Sequence, residues 1–381
     1  MLSLFPGCSP TRTSVPDAGA KDAGPDGPLA LDLLFVLSST LDASIAIQDL
    51  SNYFPQLTHH LEALGEPLSL HVGIVGSDMG AGRFESNDCQ VGGGRGALQN
   101  TPASDCPNPG PEGGVLLDPT DRYLRWSRTS AGDQANFAGP LANALLCYAR
   151  GLDAGCTPSL LGSLAAALEG CEVEGGCRQP LNEGFLRREA ALAVVLVAND
   201  DDCSVPRESA IFDPSPEARS TLGPYTLFRC LKFGVLCGGQ PIGDEAGPRY
   251  DCEPGNPNPD PTLQLISGTD VARSLKGLKS DPRRVYVAAI AGPPTPVLIE
   301  ATSNGPYPQP TCEAGGGFLP ASPGIRLEAF VREFGSPNGR FLPFCREGEY
   351  AQFAWQLDQV GADLVGLLAG APKLSPAASE K

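Results

Sequence analysis

Leu31 to Asp42 reads LDLLFVLSSTLD, an apolar run that passes straight into hydroxyls and then a carboxylate. Only Asp32 interrupts the apolar character of Leu31 to Leu37, which is the composition of a central strand covered on both faces. Ser38, Thr40 and Asp42 follow on alternate positions, just ahead of a helical pattern. Oxygen donors at the carboxyl end of such a strand mark the place where an open α/β sheet binds its ligand, often a divalent ion.

Working outward, Ile47, Leu50, Phe54, Leu57, Leu61 and Leu64 recur at spacings of three and four, an amphipathic helix that Thr40 or Asp42 would cap and Pro55 should kink. Leu68 to Gly76 is a second strand. Strand, helix, strand in this order is a crossover unit, so the sheet is at least partly parallel. Further strands are expected at Arg122 to Trp126, Ala191 to Ala198, Arg284 to Ala291 and, at an edge, Phe341 to Cys345. Helices are expected at Asn136 to Tyr148, Ser159 to Leu168, Pro224 to Phe233, Thr262 to Leu278, Gly324 to Phe334 and Tyr350 to Leu368. Gly, Pro, Asn and Asp dominate two excursions, at about 83–119 and 237–261.

No internal repeat and no second hydrophobic centre interrupts this pattern. It predicts one domain over residues 31–369, preceded by a flexible segment, 1–30, and followed by a loose tail, 370–381. The fold class is α/β, Rossmann-like and doubly wound: a mostly parallel sheet with helices on both faces and long disulfide-bearing insertions.

Among 381 residues there are 46 Gly and 38 Pro, which implies long loops, while 41% apolar residues still supply a core. A net charge of -17 without basic clusters argues against a nucleic-acid partner, because neutralising phosphates needs grouped Lys and Arg. No run of about eighteen apolar residues is present, so no transmembrane helix is expected.

Of the 13 cysteines, Cys8 stands alone and the rest fall between Cys89 and Cys345. An even set in loop-rich sequence suits disulfides and an oxidising compartment. Zinc ligation is the weaker reading, since there is no C-x-x-C pair and His59, His60 and His71 lack suitable spacing to cysteine. Pairing neighbours along the chain gives Cys89 with Cys106, Cys147 with Cys156, Cys171 with Cys177, Cys203 with Cys230, Cys237 with Cys252, and Cys312 with Cys345. Met1 to Cys8, MLSLFPGC, resembles the end of a bacterial lipoprotein signal, with a tether after it. Lipidation of Cys8 and an incidental cysteine are the two readings; export rests on the disulfides independently.

LDLLFVLSST, LHVGIVGSDMGAG, CYARGLDAGC, GFLRREAALAVVLVANDDDCS and LKGLKSDPRRVYVAAIAGP together resemble, in order, the von Willebrand factor A-type domains of myxobacterial envelope lipoproteins. The resemblance covers Leu31 to Leu368. It implies a metal-ion-dependent adhesion site built from D-x-S-x-S in the first loop, a threonine in a middle loop and an aspartate in a third. Here those positions fall to Ser38, Thr40 and Asp42, roughly to Asp153, and to Ala198 with Asn199, while Asp42, Asp153 and the run Asp200 to Asp202 are the carboxylates that would compensate. Two carboxylates have become neutral, so the site reads as degenerate, with no resident cofactor expected and Mg²⁺ or Ca²⁺ the ions to test.

Gly92 to Gly96, GGGRG, follows no strand and reads as a loop and not a phosphate cradle. No nucleophile and base are nominated together, so an enzyme is not expected. The expectation is an exported, membrane-tethered binding or adhesion module whose protein or glycan partner meets the carboxyl-end rim of the sheet. The alternatives are a metal-dependent hydrolase using Asp200, Asp201 and Asp202, and a purely structural envelope lipoprotein.

Overall fold

The computed structural model describes residues 28–39, 50–84, 93–104, 106, 121–153, 155, 157–169, 181–312, 320–344 and 352–370. Its centre is a seven-stranded sheet. The strands are β1 (Leu29–Leu37), β2 (Leu68–Gly76), β3 (Leu124–Thr129), β4 (Gly132–Ala135), β5 (Ala191–Val197), β10 (Val285–Ala291) and β13 (Gly339–Pro343), in the order β13-β10-β5-β1-β2-β3-β4. The pairs from β13 through to β2 are parallel; β2 with β3 and β3 with β4 are antiparallel. The sheet is therefore mixed but mostly parallel, and the six strands expected from the sequence all contribute to it.

Helices cover both faces because alternate residues of the central strands point to opposite cores. Leu31, Leu33, Phe35 and Leu37 of β1 join Ala193, Val195, Tyr286 and Ile290 in one cluster. That cluster is closed by α1 (Phe54–Glu62), α2 (Leu141–Arg150) and α8 (Gln352–Ala369). Leu34 and Val36 face the other way, with Leu192, Val194, Val287 and Ala289. There they meet α3 (Leu160–Glu169), α6 (Gly268–Gly277) and α7 (Ile325–Arg332). A strand buried on both faces cannot alternate polar and apolar residues, which is why β1, β5 and β10 read as continuous apolar runs.

Asp32 is the exception, and it is fully buried. Its carboxylate accepts the Arg187 backbone N–H and guanidinium, both at 2.7 Å, and lies 3.2 Å from Lys279 Nζ. A buried charge persists only when paired in this way.

Several expected boundaries move. Pro55 sits in the first turn of α1 and not within its length, a position where a missing N–H costs nothing. The helix expected from Asn136 begins at Leu141, after the extended Pro140, because 132–135 instead form β4 as a hairpin with β3. The 237–261 excursion is partly regular. β6 (Val235–Cys237) pairs with β7 (Gln240–Pro241) and β9 (Cys252–Pro254), and β8 (Gly247–Arg249) with β11 (Val297–Thr302), which also pairs with β12 (Gly305–Pro308). Two short helices, α4 (Pro216–Leu222) and α5 (Phe228–Gly234), lie before it.

The disulfides require one correction. Cys203 pairs with Cys230 and Cys237 with Cys252, as neighbour pairing expects. Cys106, however, bonds Cys147, with Cα atoms 5.7 Å apart, so neither Cys89 with Cys106 nor Cys147 with Cys156 forms. The cause is spatial. Ala103 N–H donates to the Cys147 carbonyl at 2.9 Å, which lays the segment before Cys106 along the end of α2. Cys8, Cys89, Cys156, Cys171, Cys177 and Cys345 lie outside the described residues, and with them the pairings of Cys171 with Cys177 and Cys312 with Cys345. Among the described residues no helix is long and apolar enough to cross a membrane.

Candidate functional site at the strand-order switch

The strand order reverses between β1 and β5, and a ligand crevice in an open α/β sheet forms at such a point. Ser38 and Asn199 flank it. Ser38 N–H donates to the Val197 carbonyl at 2.9 Å, continuing the β1/β5 ladder, and the neighbouring Ala198 N–H donates to Ile290 O at 3.0 Å. Both Ser38 and Asn199 are buried, yet Ser38 Oγ and Asn199 Oδ1 have no hydrogen-bond partner among the described residues. An unmatched buried polar atom costs about 1–3 kcal/mol, so two at one switch point need a reason.

The hydroxyls beside them are satisfied. Ser39 N–H donates to Ser77 Oγ at 3.1 Å, and Ser77 Oγ donates to the Thr157 carbonyl at 3.4 Å. Thr157 Oγ1 donates to the Gly80 carbonyl at 3.1 Å and lies 3.2 Å from Ser159 Oγ. Gly155 lies directly on this cluster, since a Cβ there would be 2.5 Å from Asp78 Cβ and 2.7 Å from Ser39 Oγ. The glycine-rich loop is explained in the same way. Gly94 N–H donates to Asp78 O at 2.8 Å, and a Cβ on Gly93 would lie 2.5 Å from Gly80 N, so this loop packs on the 78–80 turn.

The acidic run after β5 is neither a solvated turn nor a bare carboxylate cluster. Asp200 accepts Ser322 Oγ at 2.9 Å. Asp201 accepts the N–H groups of Arg326 and Leu327 at 2.9 and 3.1 Å, capping the first turn of α7. Burial pushes the Asp201 carboxyl up to about 7, against these amides and the nearby Arg326 charge. Asp202 accepts Leu161 N–H at 2.9 Å at the start of α3 and lies 3.0 Å from the buried Arg326 guanidinium. Two of the three carboxylates proposed for a hydrolase thus hold helix ends, and that reading gains no support from them.

Ser38 and Asn199 are brought together as expected, with Asp200 next to them. Asp153 is exposed, and the buried hydroxyl of that loop is Thr157, four residues further on. Thr40 and Asp42 lie outside the described residues. Ser39, Ser77 and Thr157 were missed; the signal for Ser77 was its place after β2, the neighbour of β1 in the sheet. Among the described residues the switch offers a hard divalent ion little free charge, since the Asp200 carboxylate beside it is engaged by Ser322. Such ions need carboxylate charge, and the two unmatched oxygens here are neutral.

Among the described residues, the cavity beside the rim, bounded by Asp200, Asp201, Ser322 and Arg326, is about 40 Å³. A larger concavity of about 410 Å³ lies elsewhere, between Glu62, Trp126, Arg128 and Leu141, beside the amino-terminal half of β2. The chain matches no protein-family model and no curated protein sequence.

Proposed function

We propose that the protein is a binding or adhesion module of the von Willebrand factor A type, exported and tethered to a bacterial envelope through Cys8. It recognises a protein or glycan at the carboxyl-end rim of its sheet through neutral oxygen donors in place of a metal ion. The observation that carries this reading is the pair of buried oxygens, Ser38 Oγ and Asn199 Oδ1, that find no partner among the described residues at the strand-order switch. A ligand hydroxyl or amide N–H can donate to Asn199 Oδ1, and Ser38 Oγ can donate or accept. The cavity beside Asp200, about 40 Å³, is far below the roughly 300–1,000 Å³ of small-molecule pockets, which favours a macromolecular partner. Disulfides on the flanking loops let that surface vary while the sheet stays rigid.

The test is binding of the full chain to arrays of glycans and of peptides, beside a Ser38→Ala/Asn199→Leu variant. The reading expects array ligands that the wild type holds and the variant loses. Ligands held equally by both, or an array without any, would contradict it.

A further inference from the structure

On the far side of the β1 core from α3, α6 and α7, the outer surfaces of α1 and α8 bring together two imidazoles and a carboxylate. One ring nitrogen of His59, one of His60 and one oxygen of Asp358 all lie within 4.8 Å of one another. We propose that His59, His60 and Asp358 form a surface site for a divalent transition-metal ion of the zinc class, which clamps α8 to α1.

The donors are of the right kind. Zinc takes imidazole nitrogen and carboxylate oxygen at about 2.0–2.2 Å, so a tetrahedral site spaces its ligand atoms by about 3.4 Å. His60 Nε2 and Asp358 Oδ1 are 2.8 Å apart and open slightly; His59, at the surface, closes by rotation of its side chain. Water fills the open position. Nitrogen and oxygen donors without thiolate select zinc, nickel or copper over magnesium or calcium.

Three features around the cluster go beyond a simple ion pair. Consecutive helix residues do not ordinarily face each other, yet the rings of His59 and His60 are 4.0 Å apart. His59 Nδ1 lies 3.3 Å from the Pro55 carbonyl. A carbonyl only accepts, so Nδ1 carries the proton and Nε2 keeps its lone pair for an ion, the usual support of a metal-binding histidine. Gly361, one turn after Asp358, is placed where a Cβ would be 2.5 Å from His60 Cδ2. A helix-weakening residue therefore stands where the ring needs room. An ion pair between His60 and Asp358 accounts for one ring, and the Pro55 contact holds the other with its second nitrogen open. When the ion binds, His60 keeps a single ring proton, moved from Nε2 to Nδ1, and the Asp358 oxygen exchanges that proton for the metal.

The experiment is a Zn²⁺ titration of the full chain by calorimetry, with thermal unfolding read in parallel. The proposal expects a single zinc ion per chain, a raised midpoint, and affinity reduced by about tenfold or more in His60→Gln and in Asp358→Asn. Gly361→Ala, which removes no ligand and displaces the His60 ring, should weaken zinc as well. The His59→Gln/His60→Gln/Asp358→Asn variant keeps every cysteine, so zinc held by thiols would survive in it. Unchanged zinc affinity in that variant overturns the proposal, as does a wild-type chain that takes up no zinc.

Discussion

The carboxylate of Asp202 lies 3.0 Å from the guanidinium of Arg326, and both side chains are buried behind the carboxyl ends of β5 and β10. Arg326 also donates to the Ile266 carbonyl at 2.6 Å, and Asp202 accepts the Leu161 amide, so the pair ties α7 to α3 beneath the rim. Removing one partner leaves the other charged and alone. Asp202→Ala should cost about 3–5 kcal/mol in urea unfolding, and Asp202→Leu/Arg326→Leu distinctly less than the sum of its single changes. Additive losses would show that the two act independently.

The neutral oxygens of Ser38 and Asn199, with Asp200 held by Ser322, predict that hard cations are not ligands. Anything bound by the native state alone raises the unfolding midpoint, so the metal-stripped chain should melt alike with and without added Mg²⁺ or Ca²⁺. A midpoint raised by either ion and lost in Ser38→Ala/Asn199→Leu would place a metal at the switch.

How much of this was legible beforehand depended on the kind of signal. β1, β5 and β10 stand out in the sequence because burial on both faces forces unbroken apolar runs. β4, GDQA, is fully exposed at an edge and has no such pattern. The hydroxyls of Ser38 and the amide of Asn199 were readable from their place after strands. The true task of Asp201 and Asp202 was not, because their partners Arg326 and Leu161 are far away in sequence and only the fold brings them together. The same limit misplaced Cys106, whose partner Cys147 stands 41 residues away along the chain and is brought beside it only by the fold.

That disulfide is directly testable. Proteolysis of the unreduced chain should release a peptide pair joined through Cys106 and Cys147, and none joining Cys89 to Cys106. The bond closes a separation of 41 residues, which chain entropy values at about 4 kcal/mol, so Cys106→Ser/Cys147→Ser should unfold at lower denaturant by up to that amount.

Stability against pH should contain two opposing parts. Burial, helped by the Arg187 charge, lowers His71 from 6.5 to about 4. Its stabilisation is present above 6.5 and is lost as pH falls towards 4, because the unfolded chain binds the proton more readily. Asp201 is raised from 3.8 to about 7, so its part is complete below 3.8 and is lost as pH climbs through 7. In one window the two slopes offset each other. His71→Gln should leave stability falling as pH rises from about 4 to 7, and Asp201→Asn should leave it rising, both read from urea midpoints. Parallel profiles for the two variants would refute the assignment.

The most direct test of the rim compares two properties of a single protein. In Ser38→Ala/Asn199→Leu the unfolding free energy and the affinity for an array ligand are measured side by side. If the two oxygens serve a ligand and not the fold, stability stays within about 1 kcal/mol of the wild type or improves, while affinity falls by about tenfold or more. Lost stability together with unchanged affinity would contradict the account.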